Sequence, residues 1–297
     1  MTMGEWFRRY RKHSRLFLLI GLSGALALPV LAQSSQWKLI DAEAAKIESS
    51  WDLTDNDVTY RHNKKGRYVA KPRIVSDAFR GSKALQLIAE PSEGCCTDKT
   101  EYQFVPSGDA HRIRFRADKE FEGPYYFGYA FKLHRNFETP VEMTMISQVW
   151  QGSPHSPPFS VQITPNWRKN DGENGEDILQ LEFWVRNDAT GTMHYEEPLV
   201  IGKTHIELDQ WHTLAYEFVP SYVGETEHGI IRIWRNDVLI VDWRGNWGYR
   251  PAVWGGVDGA NTGSAVLFNI YRDRQDTWAS VIFDSLKYGK TLEAVQP

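Results

Sequence analysis

Short runs of alternating apolar and polar residues, cut apart by Gly, Pro, Asn and Asp, predict an all-β chain. Helix-period patterns are scarce, and residues 41–49 are the one stretch that reads as a short helix or turn. The 12 Trp, 13 Tyr and 14 Phe fall largely at alternating positions, so rings must stand on outward faces as well as inward ones. About a dozen strands in two stacked antiparallel sheets make a jelly roll, and polar faces running across successive strands predict one wet sheet face.

In chain order, residues 1–32 read as a secretory signal peptide, with an uncleaved signal anchor as the alternative that the length of the apolar run leaves open. Arg8, Arg9, Arg11, Lys12 and Arg15 precede an apolar run over 16–31, and Val30-Leu31-Ala32 offers a cleavage site before Gln33. The chain carries −4 overall; the leader's five basic and one acidic residues account for +4 of that, so residues 33–297 carry −8. An acidic exterior excludes nucleic acid as the expected partner but leaves room for a polyanion held in a local basic groove. No second segment is apolar enough to span a membrane. Residues 33–297 show no linker, repeat or low-complexity tract and are expected to form one domain, a monomer in the periplasm or outside the cell. Cys95 and Cys96 are adjacent and fit no zinc spacing, which leaves a strained vicinal disulfide or two thiols.

Strands are expected over residues 68–75 and 84–89, then over 99–104 and 112–117, where Arg112, Arg114 and Arg116 share one side. The aromatic run YYFGYAFKL (125–133) suits a sandwich interior. Runs over 143–150, 159–163 and 178–186 follow; in the last, Gln180, Glu182, Trp184 and Arg186 oppose Leu179, Leu181, Phe183 and Val185. Residues 210–220 come next, then a hairpin of 229–235 and 238–243 turned at Asn236-Asp237. The final pair is 266–271, with Leu267, Asn269 and Tyr271 on one face, and 279–286, apolar until Asp284-Ser285 interrupts it. Tyr271 is followed by Arg272, Asp273 and Arg274, a setting in which neighbouring cations would lower a phenol from its ordinary value of about 10.

Several of these pieces occur in the order found in a known family. They are Lys99-Thr100-Glu101-Tyr102, Gln148-Val149-Trp150, Trp211-His212, the hairpin from Gly229 to Asn236, Ile270-Tyr271-Arg272, and Phe283-Asp284-Ser285-Leu286. In this the chain resembles the jelly-roll polysaccharide lyases of heparin lyase I and glucuronan lyase type, and more distantly the alginate lyases. The family would have Arg at Lys99, His at Trp150, and Lys and Gly at Leu267 and Asn269. The resemblance implies a concanavalin A-like sandwich whose groove binds an acidic polysaccharide and cleaves it by β-elimination at a uronic acid.

The roles implied are then specific. Tyr271 is the acid/base residue, and Gln148 is the amide partner of the uronate carboxylate. Lys99 and Arg114 neutralise developing charge, and His155 is a candidate base, with His194 an alternative. Arg116, Trp150, Trp184, Arg186, Trp247 and Arg272 line the substrate, the Trp residues as sugar platforms. Asp284 is implied as a ligand of a structural calcium, and no organic cofactor is expected. His212, behind Trp211 at a strand start, reads as structural. Few clustered cations favour an unsulfated glucuronan- or alginate-like polymer. Two rivals stay open: a lectin-like domain without a working acid/base pair, and a glycoside hydrolase, which needs paired carboxylates where Glu182 stands alone on its strand.

Overall fold

The computed structural model describes residues 37–40, 46–47, 52–55, 58–62, 73–91, 100–106, 124–150, 157–165, 179–186, 198–219, 221, 228–248, 265–272 and 275–297. In chain order the strands are β1 (Trp37–Ile40), β2 (Lys46–Ile47), β3 (Asp52–Asp55), β4 (Val58–His62), β5 (Arg73–Val75), β6 (Ala84–Ala89), β7 (Thr100–Pro106), β8 (Tyr125–Leu133) and β9 (Thr144–Trp150). They continue as β10 (Phe159–Pro165), β11 (Leu179–Val185), β12 (Leu199–Ile206), β13 (Trp211–Val219), β14 (Gly229–Arg235), β15 (Val238–Gly245), β16 (Ala265–Arg272) and β17 (Ala279–Gly289). A single turn of helix, α1 (Leu292–Val295), follows, with the Thr291 hydroxyl accepting from the Ala294 N–H.

Two antiparallel sheets result. One runs β15-β14-β13-β8-β17-β6-β5, with β1 also on β17; the other runs β12-β11-β10-β9-β16-β7-β4-β3-β2. The expected all-β jelly-roll sandwich is therefore the fold. The last two strands lie inside the sheets, β17 between β8 and β6, and β16 between β9 and β7.

Between the sheets sits an aromatic core. Phe268 of β16 lies 5.6 Å from Phe127, 5.3 Å from Tyr129 and 5.6 Å from Phe283, all on the opposite sheet. The buried hydroxyls within this core answer one another: Tyr129 Oη is 3.0 Å from Ser147 Oγ and 3.1 Å from Tyr216 Oη. Burial pushes the Tyr129 phenol up to about 12, so it stays protonated and bonded.

Expected elements differ from the structure in several places, and strands β1, β3 and β4 have no counterpart among them. Lys46-Ile47, within the expected helix, is strand β2 paired with β3, so tertiary pairing overrides the local helix composition there. Strand β12, absent from the sequence reading, closes one sheet edge against β11. The break at Asp284-Ser285 is a bulge: Ser285 takes φ 52° and the register against β8 shifts between Asp284 and Lys287. The hairpin forms as expected, with Asn236 (φ 47°) and Asp237 (φ 64°) both left-handed, as a two-residue turn of this kind requires. The expected strand over 112–117, the leader and the two cysteines lie outside the described residues.

His212 is 2 % exposed and structural, as expected. Arg235 Nη2 donates to its Nδ1 at 3.1 Å, which leaves Nε2–H to face the Glu207 carbonyl at 3.3 Å. Burial, with help from the Arg235 charge, holds the imidazole below 6.5, while Glu207 acts in the opposite sense. The unfolded chain therefore takes up a proton near 6.5 that the folded one resists. Stability present above that value is lost as the pH falls toward the folded value. The unfolding midpoint is expected to drop between about pH 7 and pH 5.5, and His212→Gln to flatten part of that drop, measured by thermal melts across the range. At Gly128 a Cβ would collide with the Val295 carbonyl oxygen where α1 lies on β8. Gly128→Ala is expected to cost about 1–3 kcal/mol in chemical denaturation, the range for overpacking.

Candidate active site

On β16, Val266, Phe268 and Ile270 point into the core, which turns Leu267, Asn269 and Tyr271 to the outer face of the sheet. Two cross-strand rows can be traced on that face. One runs Val200, Trp184, Ser160, Gln148, Leu267 from β12 to β16. The other runs Lys203, Glu182, Gln162, Met145, Tyr271, with Glu101 of β7 next in register. Bulges in β9 and β16 add residues between the two rows, so that Gln148 lies opposite Leu267 in one row and Tyr271 opposite Met145 in the other. The two residues proposed to do chemistry thus stand on adjacent strands of one face, one bulge apart.

The central floor is shielded from water. Gln148 is 3 %, Ser160 0 % and Gln162 3 % exposed, and Tyr271 is half-buried. Toward β11 and β12 the face opens into a cleft of about 510 Å³ lined by residues that include Met143, Gln162, Glu182, Trp184, Arg186 and Lys203. There the Glu182 carboxylate, itself buried, accepts from Lys203 Nζ at 2.6 Å and from Trp184 Nε1–H at 2.9 Å. One carboxylate therefore fixes both a cation and an indole edge. Arg186 lines the same cleft, with Nη1 3.5 Å from the Pro157 carbonyl.

The loop bordering this cleft is pinned by Gln275, which is buried. Its Oε1 accepts from the Val141 N–H at 2.8 Å and its Nε2 donates to the Met143 carbonyl at 3.0 Å. Glu142 and Met143 of that loop line the cleft.

Three expected roles are corrected by these placements. Arg272 is 1 % exposed and does not reach the groove: it donates to the carbonyls of Ala89, Glu90 and Thr277 and to Thr277 Oγ1, tying β16 to the end of β6. Burial draws its guanidinium down to about 10, still cationic at neutral pH, and Glu138 opposes the shift. Trp247 is 1 % exposed, tilted against Phe218 with ring centroids 5.4 Å apart and its indole N–H on the Val219 carbonyl, and is a core ring rather than a sugar platform. Asp284 lies on the opposite sheet and spends its carboxylate on backbone: Oδ2 accepts from the Phe79 and Arg80 N–H groups and Oδ1 from Ser285. Those donors take up the oxygens a calcium would use, and among the described residues no three His, Cys, Asp or Glu gather into a metal-binding group. The residues at Asp284 do not fit the implied metal.

Trp184 and Arg186 both line the cleft. Trp150 pairs through its backbone with Ala265 at the end of β9. Lys99, Arg114, Arg116, His155 and His194 lie outside the described residues. The sequence reading missed Lys203 and Gln162. Lys203 was missed along with β12 itself, and Gln162 was legible as the polar alternate between Val161 and Ile163.

The family model described as polysaccharide lyase matches residues 46–251. No curated protein matches the sequence. Among solved structures, an endo-β-1,4-glucuronan lyase from the fungus Trichoderma reesei is similar at 13 % identity and a TM-score of 0.50, over 79 % of this chain and 97 % of that one. An alginate lyase from Pseudomonas aeruginosa is 10 % identical with a TM-score of 0.41, over 70 % and 83 %. Another from Klebsiella pneumoniae is 9 % identical with a TM-score of 0.40, over 78 % and 87 %. The first of these likenesses bears on fold, and it agrees with the two-sheet sandwich. With the family model covering most of the sandwich, the chain belongs to the polysaccharide lyase family.

Proposed function

We propose that this polysaccharide lyase is exported and cleaves an unsulfated uronic acid polymer, of glucuronan or alginate type, by β-elimination at the face centred on β16. The observation that carries the reading is that Tyr271 and Gln148 stand on adjacent strands of one shielded sheet face, with a bulge between their levels. Elimination removes the C5 proton, expels the 4-O-glycosidic oxygen and leaves a C4–C5 double bond. Charge moves onto the uronate carboxylate as the proton departs. A side-chain amide such as Gln148 donates to that charge without having to titrate, and does so more strongly in a dry site. The Tyr271 phenolate takes the C5 proton, and the resulting phenol returns it to the leaving oxygen, so one residue closes the proton cycle in a syn elimination.

The cleft between Met143 and Lys203 would hold the sugars on one side of the cleaved bond, with Trp184 as the ring surface and Lys203 as the cation facing carboxylates. Export is supported by the leader-like residues 1–32. Among the described residues no helix is long and apolar enough to cross a membrane.

The unsaturated product absorbs in the ultraviolet, which makes the reaction directly readable. On a panel of glucuronan, alginate and heparin, absorbance is expected to rise with one of the first two. Tyr271→Phe is expected to lower kcat by at least about 10²-fold, the lower range for losing an acid/base group; full activity in that variant would remove Tyr271 from the mechanism. A rise in reducing ends without absorbance would indicate hydrolysis instead. Lys203→Met is expected to raise KM several-fold, by roughly the 1 kcal/mol of a partly exposed charge contact, while leaving kcat near its original value.

A further inference from the structure

Asn269 stands between the Gln148 and Tyr271 levels of the sheet. It pairs with Gln103 of β7 on one side, and on the other it falls in the stretch where β16 and β9 lose register between Phe268 and Tyr271. Both of its chain neighbours, Phe268 and Ile270, point into the core, so its amide is turned to the face of Tyr271. It is 0 % exposed, and neither Oδ1 nor Nδ2 has a hydrogen-bond partner. Among the described residues no other side chain has two such orphaned atoms. A buried amide in that condition loses the hydrogen bonds that water would have given it, and folding gains nothing in exchange. Bulges commonly re-aim a side chain beside an active site.

We infer that Asn269 is a substrate-recognition residue, which takes the uronosyl unit at the cleavage position by its carboxylate on Nδ2–H and by a ring hydroxyl on Oδ1. This rests on the proposed β-elimination site and adds to it the rule by which that site reads its sugar. The two orphaned atoms demand a ligand that offers an acceptor and a donor side by side. A uronate does so, since its carboxylate only accepts and its hydroxyls donate. A neutral hexose lacks the charged acceptor, and a sulfate ester at that hydroxyl removes the donor. Because the floor is closed to water, the amide meets the sugar only as the chain settles against the Tyr271 phenol.

Two variants test the inference. Asn269→Leu keeps the volume and removes both polar atoms, and Asn269→Gly suits a bulge without demanding a side chain. Thermal melts establish that each folds, and Asn269→Leu is expected to melt no lower than the parent because it removes orphaned polar atoms. Activity is read as unsaturated product from glucuronan and alginate. Binding is read as the affinity of glucuronate and mannuronate oligosaccharides, and of a neutral cello-oligosaccharide, in the Tyr271→Phe background. Both variants are expected to lose at least tenfold in kcat/KM and in uronate affinity, with neutral-oligosaccharide affinity unchanged. If the parent cleaves a uronan and both variants stay within twofold of it, the role of Asn269 is overturned while the elimination reading stands. If the parent yields unsaturated product from no uronan, the elimination reading falls. The binding arm then decides Asn269 alone: a tenfold loss of uronate affinity supports its role, and unchanged affinity, or no uronate binding by any of the proteins, overturns it.

Discussion

The arrangement depends on a period of two imposed on one interior strand. β16 is enclosed by β9 and β7, so neither edge is available to water and both faces must be spent. Val266, Phe268 and Ile270 are spent on the core, where Phe268 reaches rings of the facing sheet. That leaves Leu267, Asn269 and Tyr271 for the outer face with no freedom to exchange places, because a one-residue slip would bury a phenol among phenylalanines. The bulge is the one relaxation of this rule, and it falls between the levels of Gln148 and Tyr271.

A sheet face holds its side chains still only if the loops around it are also held. Polar side chains buried at the ends of the sandwich do this by bonding to backbone far away in sequence. Arg272 gathers carbonyls from the end of β6 and from Thr277. Gln275 fastens the loop that borders the cleft, and Asp284 holds the turn at Phe79 and Arg80 on the opposite sheet. At the other end Arg235 joins Thr204, Glu207 and His212, linking β14 to the edge strand β12. Each removes an otherwise unpaired buried group, so losing any one would strand its partners.

Much of this was legible in the sequence, and the failures have a common cause. Strands with a clean alternation, such as 125–133 or 178–186, could be read residue by residue because one face is apolar. β12 could not: LVIGKTHI lies at a sheet edge where most residues stay partly exposed, so its polar and apolar positions carry little contrast. Tyr271 and Gln148 were legible as ordered motifs on strands. Arg272 was misread because composition says cation, whereas its carbonyl partners Ala89 and Glu90 lie more than 180 positions earlier. Trp247 was misread for the same reason in reverse, since an aromatic residue in a Gly-rich stretch gives no sign of which sheet it folds under. Lys203 and Asn269 carry no local signature. What marks them is a buried carboxylate across the register in one case and the lack of any partner in the other.

The floor that emerges is built from neutral donors. Gln148, Ser160, Gln162 and Asn269 occupy its shielded centre, while the cations Lys203 and Arg186 stand toward the open cleft. For the anionic polymer proposed here that division has a physical logic. A buried cation unpaired before substrate arrives would suffer a large desolvation cost, or would shed its proton. An amide costs far less to bury and keeps its dipole at every pH. Charge at the rim draws the polymer in and is screened by salt; dipoles at the centre act where water is excluded and the uronate's charge is shifting. Glu182 fits the same scheme. By engaging Lys203 and Trp184 together it keeps the rim cation in place without leaving a bare carboxylate to repel the chain.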